Sequence, residues 1–210
     1  LMGAVSLRGR DLLWDGYADL PESLFQEVPI KGVESTQERK GAEKFIRFIR
    51  DELIPLIDSR YSTIKGDRGY FGHSAGGSFG LHTIFSQANL FNRLIISSPG
   101  ISFRGDDFLL RDASKFIKKG ECVSASLFVS VGADEEFEPG LMQDWSIVSN
   151  YYRLVQWLKA NNIEGIEFVD KVFPGETHAT APYMAFSHGV RELYGLRDKP
   201  KVVCQKHGHP

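Results

Sequence analysis

A serine flanked by glycines is the strongest chemical signal in this sequence. Ser74 stands in the pattern Gly72-x-Ser74-x-Gly76, which is typical of a nucleophilic serine held on a sharp turn between a strand and a helix. Residues 68–71 suit the strand and residues 78–87 suit the helix. Because such a turn strains the backbone, we expect a side chain at either glycine to collide with it. The spacing predicts a nucleophile, although the motif alone would also suit an ordinary glycine–serine turn.

A serine hydroxyl needs a base to take its proton, and the base needs an acid to orient it. On a strand–turn–helix scaffold of this kind the partners follow in the chain order serine, acid, histidine, each after a later strand. His178 comes directly after the last predicted strand, 166–173, in a loop that contains proline and glycine. We therefore predict that His178 is the base. The remaining histidines occupy less suitable places: His73 in the turn itself, His82 and His188 in predicted helices, and His207 and His209 in the C-terminal tail.

Three adjacent carboxylates supply the candidates for the acid. Asp134, Glu135 and Glu136 follow Gly132 at the end of a predicted strand. Only one carboxylate can face the imidazole, so at least two of the three belong to a solvated turn. Glu135 is favoured because hydrolase acids often fall three residues after the glycine that ends this strand. Asp134 is the alternative, since a shift of one residue in the loop would exchange the two.

The backbone N–H of Ala75 is the predicted first donor to an oxyanion, because it follows the nucleophile directly. A second donor normally comes from a loop after an early strand, and the sequence offers no convincing candidate. The histidines lack zinc-ligand spacing, the acidic cluster lacks the calcium-loop pattern, and no GxxxxGK[ST] phosphate loop is present. We therefore predict neither a metal nor a cofactor.

Strands and helices alternate along the chain, which predicts an α/β fold with a mainly parallel sheet and helices on both faces. The predicted strands are 1–7, 68–71, 93–97, 124–131 and 166–173, and the predicted helices are 36–61, 78–87, 107–118, 145–160 and 181–193. Pro55 is expected to kink or end the first helix. Residues 8–33 show no period and are interpreted as an active-site loop or lid. We predict one domain over residues 1–198 and a polar tail over 199–210.

Composition and charge narrow the possible partners. The chain has 210 residues, of which 42% are hydrophobic and 25% charged, with a net charge of −2. These values suit a globular protein and predict no strong attraction to nucleic acid or to a membrane. Cys122 and Cys204 are predicted to be unpaired, so they do not decide the compartment. A cytoplasmic location is favoured, a periplasmic or secreted one is kept for the case of a removed upstream signal, and the oligomeric state is left open.

Several segments together resemble one family. Glu52-Leu53-Ile54-Pro55, Gly72-His73-Ser74-Ala75-Gly76-Gly77, Leu90-Phe91 and Ser98-Pro99 resemble the putative-esterase family of α/β-hydrolases. That family includes esterase D (S-formylglutathione hydrolase), ferri-siderophore esterases, feruloyl and acetyl-xylan esterases, and mycolyltransferases. Arg8-x-Arg10-Asp11 resembles a loop of its siderophore-esterase branch. The resemblance implies an α/β-hydrolase fold and, because the family usually has several strands before the segment matching Leu1, a member that lacks its N-terminal part.

Three functions follow as hypotheses from the residues and the resemblance. The leading one is a serine esterase, which cleaves a small-molecule carboxylic ester through an acyl-enzyme with Ser74, His178 and an acid. An acyltransferase would use the same triad and exclude water from the acyl-enzyme. A catalytically inactive binding module on the same fold is the third hypothesis, from a different class of protein.

Overall fold

The computed structural model describes residues 41–86, 90–102, 107–120, 123–137 and 145–195. The chain divides into two compact units, Leu1–Lys65 and Gly66–Pro210. Several sequence predictions lie outside the described residues: the strand 1–7, the loop 8–33, the start of the helix 36–61, both cysteines, and the tail 199–210.

The described part of the first unit is a helix interrupted by a wide turn. It comprises α1 (Ala42–Phe48), a π-helical turn (Ile49–Leu53) and α2 (Ile54–Arg60). Of the two expected effects of Pro55, a kink or an end of the helix, the end does not occur, because α2 continues to Arg60, and the irregularity is the π-helical turn that precedes it. Proline lacks an N–H and its ring crowds the carbonyl four residues earlier, so the wider turn just before Pro55 accommodates it.

The second unit contains a four-stranded parallel sheet. Its strands are β1 (Gly69–His73), β2 (Arg93–Ser97), β3 (Ala125–Gly132) and β4 (Ile166–Phe173). The strand order is β1-β2-β3-β4, and all three strand pairs are parallel. Parallel strands joined by crossover helices place all their carboxyl ends at one edge of the sheet. The predicted parallel α/β fold is confirmed.

In the described residues of the second unit, four helices follow the strands: α3 (Ala75–Ser86), α4 (Phe108–Lys118), α5 (Ile147–Asn161) and α6 (Ala181–Tyr194). Two glycines show that helices cover both faces of the sheet. A Cβ added to Gly80 of α3 would lie 2.7 Å from the side chain of Ile96, and one added to Gly189 of α6 would lie 2.6 Å from that of Ile95. Ile95 and Ile96 are consecutive in β2 and therefore point to opposite faces. Close approach of a helix on each side buries β2 almost completely.

Candidate active site

Ser74 lies on the turn between β1 and α3, at the carboxyl end of the sheet. Its φ is +58°, a left-handed conformation that is costly for a residue with a side chain. The Ser74 N–H donates to the carbonyl oxygen of Ser97 at 2.9 Å, and the N–H of Ser78 donates to the carbonyl oxygen of Ser74 at 3.0 Å. The neighbouring strand and the first turn of α3 thus hold the strained backbone in place.

The helix after this turn begins earlier than the sequence pattern predicts. Helix α3 starts at Ala75, three residues before the predicted start at Ser78. Gly76 and Gly77 have low helix propensity, which hides this first turn in a pattern analysis. The early start places the N-terminus of a twelve-residue helix directly beside Ser74.

The glycines of the motif have different reasons to be there. A Cβ on Gly72 would overlap the carbonyl oxygen of Gly76, so no side chain fits at Gly72. The same expectation was wrong for Gly76, where an added Cβ would meet only the Tyr70 hydroxyl at 3.8 Å, an ordinary contact. Gly76 instead contributes its carbonyl oxygen, which accepts a hydrogen bond from that hydroxyl at 2.6 Å. The second position that needs glycine is Gly77, where a Cβ would lie 2.9 Å from the carbonyl oxygen of Ser97.

His178 and Glu135 form a close, sheltered pair on the loops after β4 and β3. The distance from His178 Nδ1 to Glu135 Oε2 is 2.6 Å. The Glu135 side chain is fully buried, whereas 18% of the His178 side chain is exposed. An ionised carboxylate only accepts hydrogen bonds, so Nδ1 donates to it and the opposite nitrogen, Nε2, is left able to accept a proton.

The second oxygen of Glu135 is also fully engaged. Glu135 Oε1 accepts hydrogen bonds from the Gly132 N–H and the Ser98 hydroxyl, each at 2.6 Å. Ser98 is buried, follows β2 directly and has a φ of +47°. A buried charge is tolerable only where donors surround it, and Glu135 has three. Ser98 stood in the family-like pair Ser98-Pro99 with no predicted role, although a polar residue directly after a buried strand is a usable signal for a site of this kind.

The other acidic residues of the turn face elsewhere. Asp134 is exposed, and its backbone N–H donates to the carbonyl oxygen of Glu176 at 3.1 Å. Glu136 accepts hydrogen bonds from the N–H and hydroxyl of Ser149. Of the three candidate acids, the structure brings only Glu135 to His178.

The loops after β3 and β4 are tied to each other by their backbones. Besides the bond from Asp134 to Glu176, the Ala133 N–H donates to the carbonyl oxygen of Phe173 at 2.9 Å. A Cβ on Gly132 would overlap the carbonyl oxygen of Glu176, so glycine permits this approach. The positions of Glu135 and His178 relative to each other are therefore set by main-chain contacts as well as by their own hydrogen bond.

His178 also lies against the residue that precedes Ser74. The rings of His73 and His178 have centroids 4.4 Å apart and are tilted by 44°. This contact brings the His178–Glu135 pair to the serine turn. The other histidines of the described segments are placed differently: His82 is buried in α3, and His188 of α6 packs on the ring of Phe173 with centroids 5.1 Å apart. Burial and the nearby Lys171 and Arg191 lower the pKa of His188.

We expect Ser98→Ala to lower kcat for the predicted ester hydrolysis about tenfold, because it removes one of the three donors that orient Glu135. The remaining Gly132 N–H keeps the carboxylate in place, so the loss is smaller than that from replacing Glu135 itself. Steady-state kinetics on the purified variant measure the effect. Ser114→Ala is the control, since its hydroxyl also donates a hydrogen bond, a part-buried one to the carbonyl of Leu110 at 2.7 Å, but on α4. Equal activities for both variants would contradict the role given to Ser98.

Two negative findings concern only the residues that the structure describes. Within them, no group of three or more His, Cys, Asp and Glu side chains could hold a metal ion. Among the helices in those same segments, none is long and apolar enough to cross a membrane.

Comparison with known proteins identifies the family. The family model described as "Putative esterase" matches residues 25–166, which include Ser74 and Glu135 and end before His178. The ferri-bacillibactin esterase BesA of Bacillus subtilis (strain 168) is 29% identical over 156 residues, which are 73% of this chain and 52% of that protein. This chain therefore spans about half the length of that curated relative.

Solved structures agree with this match. The BES protein from Bacillus cereus has a TM-score of 0.67 and 26% identity, and the alignment covers 89% of this chain and 63% of that one. Siderophore hydrolase EstA from Aspergillus nidulans has a TM-score of 0.74 and 23% identity, with coverages of 91% and 67%. At that identity the second likeness speaks for the fold alone. The family model matches more than half of the chain, and the parallel sheet and the serine turn agree with that match. The chain therefore belongs to the Putative esterase family of α/β-hydrolases.

Proposed function

We propose that this chain hydrolyses carboxylic esters, with Ser74 as nucleophile, His178 as base and Glu135 as the acid that orients it. The observation that carries the proposal is the 2.6 Å contact between His178 Nδ1 and the buried Glu135, placed beside the strained serine turn. Membership of the esterase family supports the reaction class. The role of each residue rests on this geometry.

The reaction follows from the arrangement. His178 Nε2 takes the proton of the Ser74 hydroxyl as its oxygen attacks the ester carbonyl, and the carbonyl oxygen becomes an oxyanion. The N–H of Ala75 has no partner within α3, because the first N–H groups of a helix lack one, and it is suited to donate to that oxyanion. The positive end of the α3 dipole favours the same negative charge.

The reaction is then completed in two steps, collapse of the tetrahedral intermediate and hydrolysis of the acyl-enzyme. The alkoxide of the substrate leaves with the proton that His178 holds, and the acyl group stays on the Ser74 oxygen. Water then attacks the acyl carbonyl while His178 removes a proton from it, and the acid product leaves as Ser74 regains its own proton. Glu135 stays ionised throughout and stabilises the imidazolium that forms twice in the cycle.

The named relatives point to the substrates to try first. BesA is named as a ferri-bacillibactin esterase and EstA as a siderophore hydrolase. We therefore propose that siderophore-type esters are within the substrate range of this chain. Acyl transfer would use the same three residues, so products should be measured with and without an added alcohol.

A fluorophosphonate probe tests the proposal directly. We expect one equivalent of probe to attach to the folded chain and peptide mass mapping to place it on Ser74, because only an activated serine reacts readily. Hydrolysis of p-nitrophenyl acetate should be lost in proportion to labelling. A folded chain that takes up no probe and releases no p-nitrophenol would favour the inactive binding module.

A further inference from the structure

His73 stands where it can control the orientation of the proposed base. Its ring lies against that of His178, with centroids 4.4 Å apart. We propose that His73 is a positioning residue, whose ring packs against the His178 ring and keeps Nε2 directed at Ser74. This inference rests on the proposed function, because it assigns His73 a task only if His178 is the base.

The need for such a support follows from the way in which His178 is held. Its hydrogen bond to Glu135 restrains Nδ1. Small coupled rotations about the Cα–Cβ and Cβ–Cγ bonds can keep that hydrogen bond and still move Nε2, which lies on the side of the ring opposite Cβ. A contact with the ring opposes these rotations. An error of about 1 Å in the position of a catalytic group can cost about 10²-fold in rate, so the support has a large possible effect.

A line of buried side chains connects His73 to Glu135. Its Nδ1 lies 3.1 Å from the Ser97 hydroxyl, which lies 3.4 Å from the Ser98 hydroxyl. Ser98 donates to Glu135 Oε1 at 2.6 Å. Ser97, Ser98 and Glu135 are all fully buried, so water does not compete for these contacts.

These contacts form a closed circuit of five side chains. Starting from Glu135, one route reaches His178 directly, and the other passes through Ser98, Ser97 and His73 to the same imidazole. The five residues of this circuit lie at the carboxyl ends of all four strands. The register of the strands therefore sets the orientation of the His178 imidazole.

Three replacements of His73 separate the aromatic contact from the polar one. His73→Phe keeps a ring against His178 and removes the nitrogen that meets Ser97. His73→Asn keeps a polar atom near the position of Nδ1 and removes the ring, and His73→Ala removes both. We expect kcat for p-nitrophenyl acetate to fall about 10–100-fold in the Asn and Ala variants with little change in KM, and Phe to stay within about threefold of the wild type.

A double-mutant cycle with His178→Ala gives a readout that a purely structural role would not produce. If His73 acts through the His178 ring, His73→Ala should cost nothing further once that ring is gone. The matched control is His188→Ala, which removes another histidine ring that packs on an aromatic side chain, and it should leave kcat within about twofold. Thermal unfolding of each variant checks that it is folded.

The outcomes divide clearly. The inference is supported if kcat falls in His73→Asn but is retained in His73→Phe, and if His73→Ala costs nothing further in the His178→Ala background. Retention in Asn with loss in Phe, or full activity in His73→Ala, overturns it. If His73→Ala does not fold, the Phe and Asn pair still decides. A Ser74→Ala variant that keeps its activity overturns the proposed function and this inference together, whereas an inactive Ser74→Ala beside a fully active His73→Ala overturns this inference alone.

Discussion

Ser74→Ala is expected to reduce kcat for the proposed ester hydrolysis by about 10⁴–10⁶-fold. The change removes only the attacking oxygen. Alanine meets the same backbone strain at a φ of +58° as serine does, and both main-chain hydrogen bonds of residue 74 remain. The fold should therefore survive while the acyl-enzyme cannot form.

Ser86→Ala is the matched control for that experiment. Its hydroxyl lies at the other end of α3 and donates to the carbonyl oxygen of His82 at 2.7 Å, so the variant also removes a half-buried hydroxyl from the same helix. We expect its kcat within about twofold of the wild type. Steady-state kinetics and fluorophosphonate labelling measure both variants. A Ser74→Ala protein with a tenth or more of the wild-type rate, well above the level of about 10⁻⁴ that remains without a nucleophile, would exclude Ser74 as the nucleophile.

Glu135→Gln is expected to lower kcat by about 10²–10⁴-fold, although glutamine has nearly the same shape. One oxygen of Glu135 accepts from Gly132 N–H and Ser98, and the other accepts from His178. If the new amide group faces Gly132, two N–H donors oppose each other in a buried place, which costs about 1–3 kcal/mol. If it faces His178, it donates to Nδ1 and forces the proton onto Nε2, the nitrogen that must act as base.

Asp134→Asn provides the comparison, because it makes the same chemical change one residue earlier in an exposed side chain. We expect kcat within about twofold of the wild type. Rates measured over a range of pH with both variants decide between the two acids. The reverse ranking would move the acid to Asp134, and two equally small effects would leave a serine–histidine dyad without a required acid.

The order of strands and helices could be predicted from the sequence, because hydrophobic runs and turn residues mark each element locally. The start of α3 could not be predicted, since Gly76 and Gly77 oppose helix formation and only the backbone contacts of Ser74 and Ser78 reveal the first turn. Pro55 was recognised as an irregularity, but a propensity rule cannot choose between a helix end and a wide turn.

The candidate site could be predicted from the sequence about as far as the fold could. Chain order narrows the acid to three adjacent carboxylates, and the 3₁₀ turn Glu135–Phe137 decides which of them turns inward. No role was predicted for His73 or Ser98, because their contacts join β1 and β2 to loops that lie far along the chain. Such contacts depend on sheet register, which a single sequence shows only indirectly.

The strand order of the sheet, which follows the order of the chain, has a consequence for the newly made protein. Synthesis at about 5–20 residues per second adds the roughly hundred residues between Ser74 and His178 in about 5–20 seconds. During that interval β1, β2 and β3 can already pair in their final order, because each new strand joins at the growing edge. The serine turn thus emerges well before its proposed base, so under the proposed mechanism the Ser74 hydroxyl of a nascent chain stays unreactive until His178 has left the exit tunnel.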